Sequence, residues 1–195
     1  RLLIDPKTGV PISGTVTVLQ GQGRSLDAIK SIDVGRFPCQ LLLSPDRSRL
    51  YVPNANDDTI TVIDTATDTV INTIPVRPDD RLPYGSQPVA LTCSPDGETL
   101  YVANATNNAI AVIKDQRLAG MIPVGWFPGA IQTNKDGTKL FVANVRGLGG
   151  EAEPVRSGRH VGDFLGLVSI IDVPDEARLA DYTRQVAENN RQMTA

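Results

Sequence analysis

The sequence predicts an all-β chain built from repeated small sheets, and three observations carry that expectation. The pentapeptide Leu50-Tyr51-Val52-Pro53-Asn54 returns as Leu100-Tyr101-Val102-Ala103-Asn104 and as Leu140-Phe141-Val142-Ala143-Asn144, spaced by 50 and then 40 residues. Each copy sits in one shared frame: a proline (Pro38, Pro88, Pro128), an apolar run, a turn (Ser44-Pro45-Asp46, Ser94-Pro95-Asp96-Gly97, Asn134-Lys135-Asp136-Gly137), then the pentapeptide. A third run of period-two alternation follows each copy, Ile60 to Asp64, Ile110 to Lys114 and Val168 to Asp172, and a fourth closes two of the units, Val70 to Val76 and Leu118 to Val124. Such runs are strands by composition and alternation. Four short strands in a repeat of about 40 residues mark a propeller blade, whose sheet buries both faces against its neighbours. Sandwiches and Greek keys need no near-identical turn in every unit.

Taken in order, residues 1–34 form a partial blade, 35–76 a full blade, 77–86 an inserted connector and 87–124 a second full blade. Residues 125–173 form a blade without its last strand that carries a loop insertion at 145–166; 174–190 is an exit helix or linker and 191–195 a tail. The helix, expected over Asp175 to Asn189, has a start at Pro174-Asp175, Glu176 near its positive end, and one apolar stripe of Leu179, Tyr182 and Val186. The fold class is therefore a partial β-propeller of three to four four-stranded blades plus a C-terminal helix. That is fewer than the roughly 4 to 8 blades that close a ring, and no Met opens the sequence, so the expectation is a piece of a larger protein.

The turns are chemically apt. Proline presets φ, Asp bonds the backbone ahead, and Gly97 or Gly137 accepts a positive φ. Arg47-Ser48 replaces glycine in the first copy, which predicts a looser turn, and Pro53 removes a ladder donor, which predicts an unpaired edge or bulge beside it. Asn54, Asn104 and Asn144 end the second strands and read as structural turn residues that bond the following backbone.

A net charge of −3, from 19 basic and 22 acidic residues, offers no broad attraction for nucleic acid or anionic lipid. No apolar stretch approaches the roughly 18 residues that span a bilayer. Cys39 and Cys93 set no disulfide framework and read as buried, reduced core residues. His160, the single histidine, lies in a loop with too few ligands around it for a metal. Gly147-Leu148-Gly149-Gly150 lacks the Lys-Ser/Thr of a phosphate loop, and Gly21-Gln22-Gly23 reads as a hairpin turn. The carboxylate pairs Asp57-Asp58 and Asp79-Asp80 read as solvated turn residues, and Asn104-Ala105-Thr106 fits a glycosylation triplet. No catalytic residue, metal site or cofactor is expected in this segment.

Loop lengths locate the candidate site. Val34 to Pro38 and Val124 to Pro128 are steps of four residues, whereas Val76 to Pro88 takes twelve; Asn54 to Ile60 and Asn104 to Ile110 take six, whereas Asn144 to Val168 takes twenty-four. Because strands alternate in direction, both insertions should rise from one face of neighbouring blades. Tyr84, Trp126, Arg146, Arg159 and His160 are the candidate binding residues of a rim there. Loops that only cover the ring edge are the competing reading.

The frame Ser-Pro-Asp-Gly, Leu-Tyr-Val-Ala-Asn and Thr59 to Thr67 resembles the YVTN-type β-propeller repeats of bacterial and archaeal proteins over Val34 to Asp172. Gly125-Trp126-Phe127-Pro128, Ala143 to Gly149 and the tail from Val168 through Leu179-Ala180-Asp181-Tyr182-Thr183 to Asn189-Asn190 resemble the last blade and exit helix of a bifunctional family. There a propeller precedes an alkaline-phosphatase-like phosphoesterase. The resemblance implies a seven-bladed ring, a secreted or periplasmic parent, metal-assisted phosphate ester hydrolysis in a downstream domain, and missing blades plus that domain as partners of this non-catalytic scaffold. A stand-alone propeller that binds a protein, glycan or cell-surface partner is the alternative. A propeller lactonase ranks last, because Phe37 to Leu43, Gln87 to Cys93 and Phe127 to Thr133 hold no acid.

Overall fold

A computed structural model describes residues 3–9, 11–79, 85–148 and 165–190. Its strands form four antiparallel sheets, each in chain order. Blade 1 holds β1 (Leu3–Ile4), β2 (Pro11–Gln22) and β3 (Ser25–Val34). Blade 2 holds β4 (Leu42–Leu43), β5 (Arg49–Asn54), β6 (Thr59–Asp64) and β7 (Thr69–Pro75). Blade 3 holds β8 (Pro88–Cys93), β9 (Thr99–Asn104), β10 (Ala109–Lys114) and β11 (Arg117–Pro123). Blade 4 holds β12 (Pro128–Thr133), β13 (Lys139–Asn144) and β14 (Leu167–Asp172), and α1 (Glu176–Asn189) follows it.

The repeat is exact at the level of register. Tyr51 lies opposite Leu42 and Val62, Tyr101 opposite Thr92 and Val112, and Phe141 opposite Gln132 and Ile170. Those aromatics point forward, toward the next blade. Tyr51, Ile60, Val62 and Ile74 of blade 2 pack on Leu91, Leu100, Val102 and Ile113 of blade 3. Tyr101, Ala103, Ile110 and Val112 of blade 3 pack in turn on Ile131, Leu140 and Val142 of blade 4. Ile32 and Val34 bring blade 1 against Val52 and Ile63. Both sheet faces of blades 2 and 3 are thereby buried, which is why β9 and β10 read as nearly continuous apolar runs rather than alternating ones. Each fully buried aliphatic side chain contributes about 1.5–3 kcal/mol.

Proline leaves the predicted mark. Beside Pro53 the inner strand shrinks to Leu42–Leu43, with an isolated bridge from Pro38 to Asn54 and a single bond from Cys39 N–H to the Pro53 carbonyl at 3.3 Å before it, where blades 3 and 4 form full six-residue inner strands. Cys39, in the frayed stretch, is exposed and so is not the buried core residue read from the sequence, whereas Cys93 is half-buried against the core between blades 2 and 3; both are free thiols.

The first turn differs from expectation. Arg47 N–H donates to the Ser44 carbonyl at 2.8 Å, as tight as Gly97 to Ser94 at 2.9 Å and Gly137 to Asn134 at 3.1 Å. The ladder on either side closes the turn, and Arg47 absorbs the strain at φ 61°, where the others are glycine at φ 77° and 70°. A left-handed non-glycine residue costs about 1–2 kcal/mol, partly offset by the greater unfolded-state freedom of glycine. Arg47→Gly is therefore expected to stabilise by about 0.5–1 kcal/mol, read as a higher urea midpoint at unchanged slope.

The blades have two ends. Thr65 bonds the Ser48 and Arg47 carbonyls, so the first and last turns of a blade share one end, the turn face. The inter-blade connectors and the loops between second and third strands share the other, the connector face. At the outer wall α1 lies on β11. Asp175 caps it, accepting from Arg178 N–H at 2.8 Å, and Leu179 and Val186 are its buried residues while Tyr182 is half-buried.

Candidate functional site

Three connectors on the connector face are built alike. Phe37, Gln87 and Phe127, each just before a proline, hold φ of 58°, 53° and 57°. Their carbonyls accept from Ala55, Ala105 and Val145 N–H at 3.0, 3.0 and 2.9 Å, and the carbonyls of Arg36, Ser86 and Trp126 accept from Asn56, Thr106 and Arg146 N–H. Each connector is thus laid flat along the loop that leaves its own second strand, with Phe37 and Trp126 exposed and Ser86 buried. Positive φ at a bulky residue costs of order 1–3 kcal/mol and persists only where neighbouring bonds impose it.

Trp126 and Arg146 come together at the blade 4 connector. Trp126 N–H donates to the Gly147 carbonyl at 2.7 Å, the residue is 48% exposed, and the Arg146 guanidinium lies 4.9 Å over the Phe127 ring. A cation over an aromatic face in this setting is held by about 0.5–1 kcal/mol. Gly125 permits the approach: a Cβ there would stand 2.6 Å from the Gly147 carbonyl oxygen and 2.8 Å from Asn144 Cγ. Phe37, Val145 and Leu148 add exposed apolar surface on this face. Arg36, in the place of Trp126 on blade 2, is tied to Asp57 through its backbone N–H (2.6 Å) and Nε (2.5 Å). Of the other candidate residues, Tyr84, Arg159 and His160 lie outside the described residues.

The three asparagines are buried, which closes Asn104 to glycosylation in the folded chain. Among the described residues the Asn54 and Asn104 amides do not reach the backbone of the following turn, and Asn144 Nδ2 donates to the Val142 and Leu167 carbonyls. Asn54 Nδ2 donates to Thr59 and Thr61 hydroxyls, Asn144 Nδ2 to Ser169, and Asn104 Nδ2 to the Val76 carbonyl of the preceding connector and to Asn107 Oδ1. The turn backbone is already satisfied by itself, as Asp57 N–H bonds the Asn54 carbonyl.

Asp58 was misread as a solvated turn residue. It is buried and accepts from Gly85 N–H (2.8 Å) and Gln87 N–H (2.9 Å), pinning the long connector to blade 2. Asn108, its counterpart, accepts from Phe127 N–H at 2.9 Å and likewise holds a positive φ. The usable signal was an Asx residue four places after the strand-ending Asn in both blades.

The turn face is acidic and internally satisfied. The Ser44 hydroxyl, then the Ser48 backbone and hydroxyl, hold the Asp46 carboxyl down to about 2, and Ser94 lowers Asp96 in the same way. These folded values lie below the unfolded carboxylate value of 3.8, so the ionised forms stabilise the fold above pH about 4 and that support is lost as pH falls toward 2. Asp46→Asn is expected to flatten this acid limb of the stability curve, as followed by thermal melts from pH 5 to 2. A cleft between blades 2 and 3 opens on this face, lined by Asp46, Arg49, Asp96, Glu98 and Asp115. Among the described residues no group of three or more His, Cys, Asp or Glu is placed to hold a metal ion, and no helix is long and apolar enough to cross a membrane.

Face-packed antiparallel sheets in chain order, with connectors and second loops interlocked on one end, define a β-propeller segment. The chain belongs to the family described as Lactonase, 7-bladed beta-propeller, which matches residues 41–148. No curated protein matches the sequence. Among solved structures it is similar to Kuenenia stuttgartiensis hydrazine synthase, at 26% identity and a TM-score of 0.56, covering 73% of this chain and 33% of that one. A putative 6-phosphogluconolactonase from Bacteroides uniformis (19%, TM-score 0.57, covering 74% and 46%) and a functionally unknown protein from Desulfotomaculum acetoxidans (17%, TM-score 0.52, covering 72% and 47%) share the fold. The chain spans a third to just under half of the length of these structures.

Proposed function

We propose that this chain is a non-catalytic scaffold and docking segment of a larger propeller protein, whose phosphate ester hydrolysis is carried by a phosphoesterase domain downstream of α1. The forward face of blade 4 carries the scaffold reading. Phe141, Ala143, Val168 and Ile170 stand where Tyr101, Ala103, Ile110 and Val112 stand in blade 3, yet Val168 and Ile170 are 63% and 64% exposed. Side chains suited to an inter-blade core face solvent here, and a contiguous apolar patch of this kind suits a further blade as its partner. Blade 1 of a second copy is a poor occupant, because Thr15, Thr17, Ser31 and Asp33 alternate with the residues that pack on blade 2 and put a polar strip on its outer face.

The rim of Trp126, Phe127 and Arg146 at the blade 4 connector supports the docking reading. The inner strands β4, β8 and β12 hold no Asp or Glu, which favours chemistry sited elsewhere. The downstream phosphoesterase and a periplasmic or extracellular location rest on the resemblance of Gly125 to Pro128 and of the tail through Asn190. Lactone hydrolysis is a second reading, favoured by the family description and by the name of the Bacteroides protein; it requires acids from blades beyond this chain. A stand-alone propeller that holds a protein, glycan or cell-surface partner through Trp126 is a third.

Reading the parent gene past Ala195 and assaying the whole protein on a p-nitrophenyl phosphate ester and on a sugar lactone separates them. A downstream Asp/His-rich domain with phosphate ester turnover is the expected result. A stop codon close behind Ala195, or lactone turnover alone, overturns the proposal.

A further inference from the structure

β14 ends on the turn face. Its last residue, Asp172, pairs with Lys139, and Val173 N–H donates to the Thr138 carbonyl beside the first turn of blade 4. In blades 2 and 3 the chain turns there at once into a fourth strand; here Pro174 and the Asp175 cap start α1 instead. The helix then climbs β11 of the preceding blade. Leu179 and Thr183 sit against Gly120, Thr183 Oγ1 accepts from Met121 N–H at 2.9 Å, and Asn190 Nδ2 donates to the Asn107 carbonyl at 2.9 Å. Asn107 belongs to the loop between β9 and β10, on the connector face. A helix of 14 residues is about 21 Å long and a six-residue strand about 20 Å. One helix therefore spans one blade, from the turn face to the connector face.

The point of arrival adjoins the rim. Asn108, next to the Asn107 carbonyl that holds Asn190, accepts from Phe127 N–H, and Trp126 is the next residue outward. The turn face, by contrast, is lined with exposed charge: Asp46, Arg47, Glu98, Asp115, Lys135 and Asp136.

We infer that α1 is a strut that carries the exiting chain across blade 3 to the connector face, and that the domain which follows it packs an apolar surface on Trp126, Phe127 and Val145, beside Arg146. This rests on the reading that a folded domain follows α1. It adds where that domain sits and what holds it there. Docking so close to the exit needs no long tether, and a short span keeps the effective concentration of the two surfaces high.

Hydroxyl-radical footprinting of the complete polypeptide tests the inference. Trp126 is expected to oxidise several-fold more slowly than its exposure in this segment predicts. Trp126→Glu, and separately Gly120→Asn, which unseats the strut, should each expand the molecule in small-angle scattering and expose the segment after Asn190 to protease, with both halves still folded. Should Trp126 oxidise freely in the intact protein, or Trp126→Glu leave scattering and proteolysis unchanged, the inference fails. Hydrolysis is a separate readout: a downstream domain that covers Trp126 but cleaves no phosphate ester ends the proposed function and leaves the docking standing.

Discussion

Gly120→Asn should detach α1 from the propeller. A Cβ at this position would stand 2.7 Å from Leu179 Cγ and from Thr183 Oγ1, so the helix must shift or leave. Asparagine is the informative choice because Asn72 occupies the same register position in β7, opposite Val62 as Gly120 lies opposite Val112. There Thr73 N–H is satisfied by Asn72 Oδ1 at 2.8 Å; in blade 3 the matching Met121 N–H is satisfied by Thr183 of the helix. The substitution thus supplies a competing cap while it blocks the seat. Overpacking costs about 1–3 kcal/mol and each released aliphatic side chain, Leu179 and Val186, about 1.5–3 kcal/mol, so a loss of about 3 kcal/mol or more is expected. Circular dichroism should show the helical signal of 176–189 falling together with the melting midpoint. An unchanged helical signal at full stability would mean that the wall of β11 is not what holds α1.

Tyr101→Ala and Phe141→Ala, the same change at the same register position, should differ sharply in this segment. Tyr101 is 4% exposed between blades 3 and 4, and its removal leaves a cavity costing about 3–5 kcal/mol. Phe141 is 36% exposed on an uncovered face, and its removal here should cost under about 1 kcal/mol, since surface changes rarely do more. Within a ring that covers blade 4, Phe141→Ala should rise toward the Tyr101 cost. Chemical denaturation of both variants in this segment, and in a polypeptide in which a further blade covers blade 4, checks this; equal costs in the segment would contradict the packing order of the blades.

Much of this was legible because a blade is a local object. The pentapeptide, the Ser-Pro-Asp turn and the period-two runs each act within about 40 residues, and strand pairing inside a blade joins neighbours in sequence. Loop length pointed to Arg146, whereas Trp126 lies in a connector of ordinary length and is set beside it by the bond from Arg146 N–H to its carbonyl. Phe127 beneath Arg146 was not legible, since only the connector's backbone bonds set that ring under the guanidinium. Asp58 was missed because adjacent carboxylates look alike in sequence, whereas Asp57 meets Arg36 and Asp58 meets the N–H groups of Gly85 and Gln87, nearly thirty residues on.

The amino-acid sequence by itself determined the sheet repeat, the matching places of Tyr51, Tyr101 and Phe141, and the presence of a terminal amphipathic helix, because hydrophobic period and turn chemistry act over short stretches of chain. Only the tertiary structure decided which wall that helix climbs, which end of the blade the chain leaves from, and which asparagine or aspartate bonds to which blade. Those outcomes depend on close approach between distant segments, and a missing Cβ at Gly120 or an orphan N–H at Met121 acquires its meaning only when the other segment arrives.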